Sequence, residues 1–232
     1  MSLKGQSLTF LPKMPTFYLD ILNSNQARVF PQLTFLEKDG FYLAGGTALA
    51  LEIGHRTSLD FDFYNPKHFS SPQLFSKIEQ KFGNRTKKLN QQKDTLICMV
   101  EDVDLSFFWY SHHLIEKPVI CKGIPLANLQ DITAMKLLAV GHRPAQRDYI
   151  DVFYLLKKFT LEEMFSFAHR KYPNFNSYHT LRALTYFEDL GKPKDRQVKV
   201  LDPDFSWERT KDEIFEKVKK YQLSMLKKHV KR

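Results

Sequence analysis

Cysteine is almost absent. Cys98 and Cys121 are the only two in 232 residues, and they form no CxxC pair. Their separation argues against a disulfide framework and against zinc sites built on paired cysteines, and it suits a reducing cytoplasm. Long apolar runs are missing as well. The opening stretch MSLKGQSLTFLPKMP contains no apolar segment of signal-peptide length, and no later window approaches the roughly 20 residues of a membrane span. A cytoplasmic protein without membrane attachment is the expectation. Internal repeats, low-complexity tracts and long Pro/Gly linkers are also lacking, so the chain reads as one two-lobed unit.

Apolar residues make up 43% of the chain, enough for a sizeable core. Charge is lopsided: 35 Lys and Arg against 26 Asp and Glu give a net +9. Such an excess favours a polyanionic partner or substrate, nucleic acid first among them. It also simply aids solubility, and part of it sits in the terminal cluster Lys227, Lys228, Lys231 and Arg232. Charge alone leaves both readings open.

Periodicity divides the chain into a mixed first half and a helical second half. Residues 16–38 read as helix broken near Pro31, and FYLA (41–44) as a short strand ending at Gly45-Gly46. Thr47 is placed to cap the helix TALALEIG, which Gly54 ends. SLDFDFY (58–64) alternates, putting Leu59, Phe61 and Phe63 on one face and Asp60 and Asp62 on the other. Helical spacing follows over 73–83, then strands TLICMV (95–100) and VDLSFFW (103–109) joined by a tight turn at Glu101-Asp102. From Asn128 onward NLQDITAMKLLAVG, AQRDYIDVFYLLKKF, LEEMFSFAHRKY, a stretch near 176–188 and a long basic segment from about Trp207 all carry helical spacing. The expected class is α+β, a mixed sheet flanked by helices and followed by a mainly helical C-terminal half. Its parts are 1–125 and 126–232, with function between them.

The segment GGTALALEIGHRTSLDFDFY (45–64) joins a phosphate-friendly turn to two carboxylates on one strand face. Glycines at 45 and 46 let the backbone approach a ligand closely, and the following helix offers unpaired N–H groups and the positive end of its dipole. Asp60 and Asp62 supply hard oxygen ligands of the kind magnesium uses to bridge protein and phosphate. Taken singly, a Gly-Gly pair or a DxD is weak evidence, and an exposed sheet face would explain the two acids. The surrounding aromatics Phe61, Phe63 and Tyr64 favour a buried setting, where carboxylates without a cation are costly.

The Gly-Gly turn followed by Asp-x-Asp is similar to the signature of the nucleotidyltransferase superfamily. More narrowly, that segment and DITAMKLLAVGHRPAQRDYIDVFYLL (131–156) resemble the AbiEii/AbiGii toxin family. The resemblance implies the nucleotidyltransferase fold, a nucleoside triphosphate substrate, magnesium (or manganese) as cofactor, an RNA acceptor such as the 3′ end of tRNA, and a cognate antitoxin protein. It also implies a third acid on a neighbouring strand, which Asp104 in Val103-Asp104-Leu105 supplies as metal ligand and candidate base; the plainer reading is an aspartate capping the hairpin. Lys136, the one charged side chain in TAMKLLAV, corresponds to a lysine read as a triphosphate contact, against snorkelling to the helix edge. Gly45, Gly46, Thr47, Arg56, Ser58, Lys136 and Asp148 are the expected nucleotide-binding residues, and Asp60, Asp62, Asp104 and Lys136 the catalytic ones. Arg147 and Asp151 are expected to support them from behind, Arg147 being able to pair with Asp151 one turn on; a structural ion-pair network between helices explains Arg147, Asp148 and Asp151 equally well. His55, His112 and His113 have no metal-ligand spacing and read as surface or core histidines. Tyr110, Tyr149 and Tyr154 are candidates for stacking on a base.

Three functions follow from these residues. One is a magnesium-dependent toxin-type transferase acting on RNA. The second keeps the chemistry and moves the nucleotide to a small-molecule or protein hydroxyl. The third is a catalytically silent nucleotide- or RNA-binding protein, against which three retained acids and Lys136 argue.

Overall fold

The computed structural model describes residues 16–143, 145–188, 190 and 198–230, with side chains given as far as 227. The amino-terminal stretch and the side chains of Lys228, Lys231 and Arg232, which entered the sequence expectations, lie outside the described residues. Residues 16–39 form a broken helical segment, as expected. A 3-10 turn at Leu19–Ile21 precedes helix α1 (Ser24–Val29), and a longer 3-10 stretch (Phe30–Asp39) follows with proline in its first turn. Proline fits there because its missing N–H would have no helical partner.

Strand β1 (Tyr42–Ala44) runs straight into helix α2 (Gly45–Ile53), which Gly54 ends in the left-handed conformation at φ 67°. Strand β2 (Asp60–Asn65) follows, then helix α3 (Ser71–Phe82) and strands β3 (Thr86–Gln92), β4 (Thr95–Val100) and β5 (Val103–Trp109). The β4–β5 turn at Glu101 and Asp102 has φ values of 49° and 62°, the paired left-handed geometry that matches the twist of a tight hairpin. Strands β6 (Val119–Cys121) and β7 (Ile124–Leu126) complete a seven-stranded sheet of order β3-β4-β5-β2-β1-β7-β6. Pairing is parallel at β2–β5 and β1–β7 and antiparallel elsewhere. The sheet is mixed, as expected.

Two expectations need correction. Thr47 does not cap α2: the helix begins two residues earlier, and the Thr47 hydroxyl is used inside the protein. Leu59 does not share the buried face of Phe61 and Phe63. It precedes the strand and is 52% exposed, because the inward alternation of β2 starts only at Phe61. Strands β3, β6 and β7 were also not foreseen: β3 is polar and exposed along nearly its whole length, and the other two are three residues long, too short for period-two patterning to register.

Phe61, Phe63, Leu105 and Phe107 point from the central strands into the core, with Phe63 and Phe107 stacked at 5.3 Å between ring centroids. The opposite sides of the same strands carry Asp60 and Asp62 on β2 and Asp104 on β5. This is the direct outcome of period-two alternation.

The rest of the chain is helical: α4 (Leu129–His142), α5 (Gln146–Leu155), α6 (Leu161–Lys171), α7 (Ser177–Leu184) and α8 (Trp207–Val230). Helix α4 is its hub, packing against α2 of the first half and against α5, α6 and α7. Asn128 caps it by accepting the Asp131 N–H. The fully buried Asp131 carboxylate accepts the N–H groups of Ile115 and Glu116 and pairs with Lys171 Nζ at 2.6 Å, while Lys171 Nζ also donates to the His113 carbonyl. One ion pair thus fastens α6 and the loop after β5 to α4. Among the described residues no helix is long and apolar enough to cross a membrane.

Because neither member of that pair reaches water, Asp131→Ala leaves a lysine ammonium buried beside one carbonyl. The expected loss is about 3–5 kcal/mol of folding free energy, read from urea unfolding; a loss below about 1 kcal/mol would show the pair to be dispensable.

Candidate active site

The glycine turn and the acidic strand meet through backbone pairing, with Ala44 opposite Asp62 in the β1–β2 register. Gly45 adopts φ +71°, and a Cβ there would lie 3.1 Å from Asp62 Oδ2. Glycine meets both demands, a left-handed backbone and close passage over a carboxylate. A Cβ on Gly46 would lie 2.5 Å from Arg56 Nη2. The start of α2 therefore sits beside the acids and lines the same cavity, and the unpaired N–H groups of a helix start suit phosphate oxygens. Thr47 donates to the Asp60 carbonyl and shares a 2.7 Å hydrogen bond with Ser58 Oγ. It closes the α2–β2 unit and does not line the cavity.

Asp60 and Asp62 line one cavity of about 330 Å³ together with Gly45, Gly46, Arg56 and Ser58. Across from them are Lys136 of α4, Arg143 just beyond its end, and Arg147 of α5; Tyr64, Phe108, Leu59 and Val198 add apolar surface. Burial, and then the neighbouring Asp60 charge, push the Asp62 carboxyl up from 3.8 to about 6, even though Lys136, Arg143 and Arg147 pull it down. Two acids held this close in a half-buried setting favour capture of a cation. Asp104 is the register partner of Asp60 on the parallel strand β5, on the same side of the sheet, yet it is not among the cavity's lining residues. Among the described residues no three His, Cys, Asp or Glu side chains form a ready metal cage.

Behind this wall lies a buried ion network. Lys136 Nζ is 2.8 Å from Asp148 Oδ1 and 2.6 Å from Asp151 Oδ2. Arg56 grips Asp151 with two nitrogens, Nε at 2.7 Å and Nη2 at 2.9 Å. His55 Nε2 reaches the same carboxylate at 2.7 Å, and Arg143 Nε reaches Asp148 at 3.0 Å. Burial alone would drive the proton off Lys136, but Asp151 and Asp148 together outweigh it and hold the ammonium above the usual lysine value. Burial likewise opposes the Asp151 charge, yet Arg56, Lys136 and His55 keep its carboxyl well below the usual range. For Asp148 the same opposition is overcome by Lys136 and then Arg143. His55, lowered chiefly by burial, stays neutral and donates from Nε2.

Most of the expected residues converge here, with roles redistributed. Asp148 and Asp151 do share a face, and both are fully buried behind Lys136. Asp148 was expected nearer the ligand and Arg147 farther away; of the two, Arg147 lines the cavity and Asp148 does not. Asp151 takes its ion pairs from His55, Arg56 and Lys136 and not from Arg147. Arg143 was overlooked. Its signal was available, a basic residue at the end of one helix four residues before Arg147 in the next. The strap at Val198–Leu201 was also missed: Val200 bridges to Arg56, and Leu201 N–H donates to the His55 carbonyl. No local pattern announces a contact between segments so distant in sequence.

A mixed sheet bearing paired aspartates beside a glycine turn, closed by helices carrying cations, defines a nucleotidyltransferase. Residues 33–97 match the family described as "Nucleotidyl transferase AbiEii toxin, Type IV TA system". An uncharacterized protein of Aquifex aeolicus (strain VF5) is 36% identical over 187 residues, covering 78% of this chain and 87% of that one. Among solved structures, JHP933 from Helicobacter pylori aligns with a TM-score of 0.54 at 19% identity, over 93% of this chain and 97% of that chain. MenT4, a nucleotidyltransferase toxin of Mycobacterium tuberculosis H37Rv, aligns with a TM-score of 0.54 at 14% identity, over 83% and 82%. At such identities these two likenesses speak for the fold. The chain belongs to the AbiEii nucleotidyltransferase toxin family.

Two outcomes are expected from this geometry. Gly46→Ala overpacks a guanidinium that cannot retreat, because Asp151 holds it, and costs about 1–3 kcal/mol in urea unfolding; an unchanged midpoint would mean that Arg56 is free to move. In the protein without added cations, the Asp62 carboxyl is expected to take up its proton near pH 6, above an ordinary aspartate, and a divalent cation bound beside it would move that titration downward because the cation requires the ionised form. Carboxyl-carbon NMR across about pH 4–8 reads both effects; titration near 4 in the cation-free protein would remove the buried, doubly acidic setting.

Proposed function

We propose that this protein transfers a nucleotide from a nucleoside triphosphate to a hydroxyl of an RNA acceptor, the 3′ end of tRNA, in a magnesium-dependent reaction, acting in the cytoplasm as the toxin partnered by an antitoxin protein. One observation carries this reading. A single cavity holds Asp60 and Asp62 on one wall and Lys136, Arg143 and Arg147 on the other, with the glycine-led start of α2 at its edge.

The donor set fits a hard divalent ion. Asp60 and Asp62 offer only carboxylate oxygens, and the raised Asp62 carboxyl marks a place where charge is in want of a counter-ion. Magnesium, or manganese in its stead, would supply charge neutralisation at the phosphates and lower the barrier to departure of pyrophosphate. The protein's own residues do the remainder. The N–H groups opening α2, with Ser58 beside them, hold the phosphate tail. Lys136, fixed by Asp148 and Asp151, and Arg147 face it with positive charge. Asp104, next to Asp60 across the parallel strands, would take the proton of the acceptor hydroxyl as its oxygen attacks the α-phosphorus and the bond to pyrophosphate breaks.

The two halves divide the work: residues 1–125 contribute the acids, the glycine turn and Arg56, and 126–232 contribute Lys136, Arg143 and Arg147, which close the cleft. Four cationic side chains around the cavity, Arg56, Lys136, Arg143 and Arg147, favour a polyanionic acceptor over a cationic small molecule.

Incubation of the purified protein with magnesium, each labelled nucleoside triphosphate in turn and an RNA pool should transfer label to RNA. Asp62→Asn should lower the rate about 100-fold or more. A folded protein that binds a triphosphate and labels nothing with any of the four would refute the proposal.

A further inference from the structure

Two clefts at the helical half exceed the cavity of Asp60 and Asp62 in size, at about 430 and 680 Å³ against 330 Å³. They share His142 and His179, and the larger one meets the nucleotide cavity at Arg143, which lines both. Among the described residues no aspartate or glutamate lines either cleft, whereas Arg143 and Arg182 both line the larger one. Tyr178 and Tyr186 present rings to the same cleft and are 67% and 48% exposed, although rings of this size are normally turned inward.

The walls are held in place. His179 Nε2–H donates to the Gly141 carbonyl at 2.5 Å, and the Tyr149 hydroxyl donates to the Ala183 carbonyl at 2.8 Å, so α7 is hydrogen-bonded at both ends to α4 and α5. Gly141 lets α7 come close, for a Cβ there would stand 3.3 Å from Thr180 Oγ1. Arg143 is anchored through Nε to Asp148 while its side chain remains more than half exposed. The surface is thus pre-shaped, cationic, without an acid among its described lining residues and supplied with flat aromatic faces, and it ends at the cavity of Asp60 and Asp62.

We propose that this cleft seats the single-stranded end of the RNA acceptor. Unpaired bases stack on Tyr178 and Tyr186, phosphates lie against Arg182 and Arg143, and the terminal hydroxyl is led past Arg143 toward Asp104 and the nucleotide. The inference rests on nucleotidyl transfer to RNA as proposed above. Single-stranded RNA fits better than duplex because an A-form helix hides the faces of its bases, while unpaired bases offer them to aromatic rings. Positive charge by itself would also attract an acidic peptide, but a peptide has no general use for two exposed tyrosine faces.

The test uses the full chain and a fluorescein-labelled single-stranded oligoribonucleotide, followed by anisotropy over a salt series without nucleotide. Arg182→Gln should flatten the dependence of log affinity on log salt by about one, and Tyr178→Ala should weaken binding by about fivefold to 100-fold. Both side chains are exposed, so folding should survive, and binding of a fluorescent nucleoside triphosphate should stay within about twofold of the parent, since neither residue lines the nucleotide cavity. Duplex RNA of equal charge should compete more weakly than single strand. The proposal is overturned if both variants bind the oligoribonucleotide as the parent does, or if polyglutamate of equal charge displaces it equally well. If RNA binding is lost in the variants but the parent never labels RNA, the cleft remains an RNA site and the transfer reading fails. If the parent labels RNA and both variants keep its KM for RNA, transfer stands and the cleft assignment fails.

Discussion

The Asp151 carboxylate organises this protein. It is fully buried, and it holds Arg56 and His55 from the loop that follows α2 together with Lys136 from α4. Such a group does not gain much stability over an apolar replacement, because desolvation offsets most of the attraction. Its effect is specificity. A carboxylate buried with three hydrogen-bonding partners admits one arrangement of the sheet half and the helical half, since any other would strand a charge away from water. The cleft between the halves inherits its shape from that requirement.

The features of the site follow from it. Arg56, fixed against Asp151, occupies the space a side chain on Gly46 would need, and this sets how closely the start of α2 approaches the acids. Lys136 is kept protonated while almost wholly enclosed and faces Asp60 and Asp62 across the cavity. Asp148 anchors Arg143, so the positive wall is tied to the same network and does not depend on mobile surface side chains. Preorganised charge of this kind is worth far more in a partly enclosed site than in water.

Charge is also arranged on a larger scale. Asp60 and Asp62 line one cavity, and among the described residues no acid lines the larger cleft that meets it at Arg143. An overall charge of +9 says little about where a polyanion would lie. The distribution says more, because a path lined by arginines, histidines and exposed tyrosines starts at the cavity of Asp60 and Asp62 and leads away along α7.

How much of this was legible beforehand depended on how local the cause was. Period-two alternation placed Asp60 and Asp62 on one side of β2, and the same alternation placed Asp104 on the matching side of β5. Gly45-Gly46, Gly54 and the turn at Glu101-Asp102 announced where elements stop, since left-handed backbone and tight turns leave few residue choices. The sequence by itself therefore determined most of the elements, β3, β6 and β7 excepted, together with the acidic face and the glycine turn, all effects of neighbours along the chain. Only tertiary structure decided that Thr47 bonds inward to Asp60, that Arg147 faces the cavity while Asp148 lies behind Lys136, that His55 and Arg56 serve one distant carboxylate, and that the strap at Val198–Leu201 pairs with the loop at His55–Thr57. Each of these depends on which charges are taken out of water together, and that is a property of packing between segments far apart in the chain.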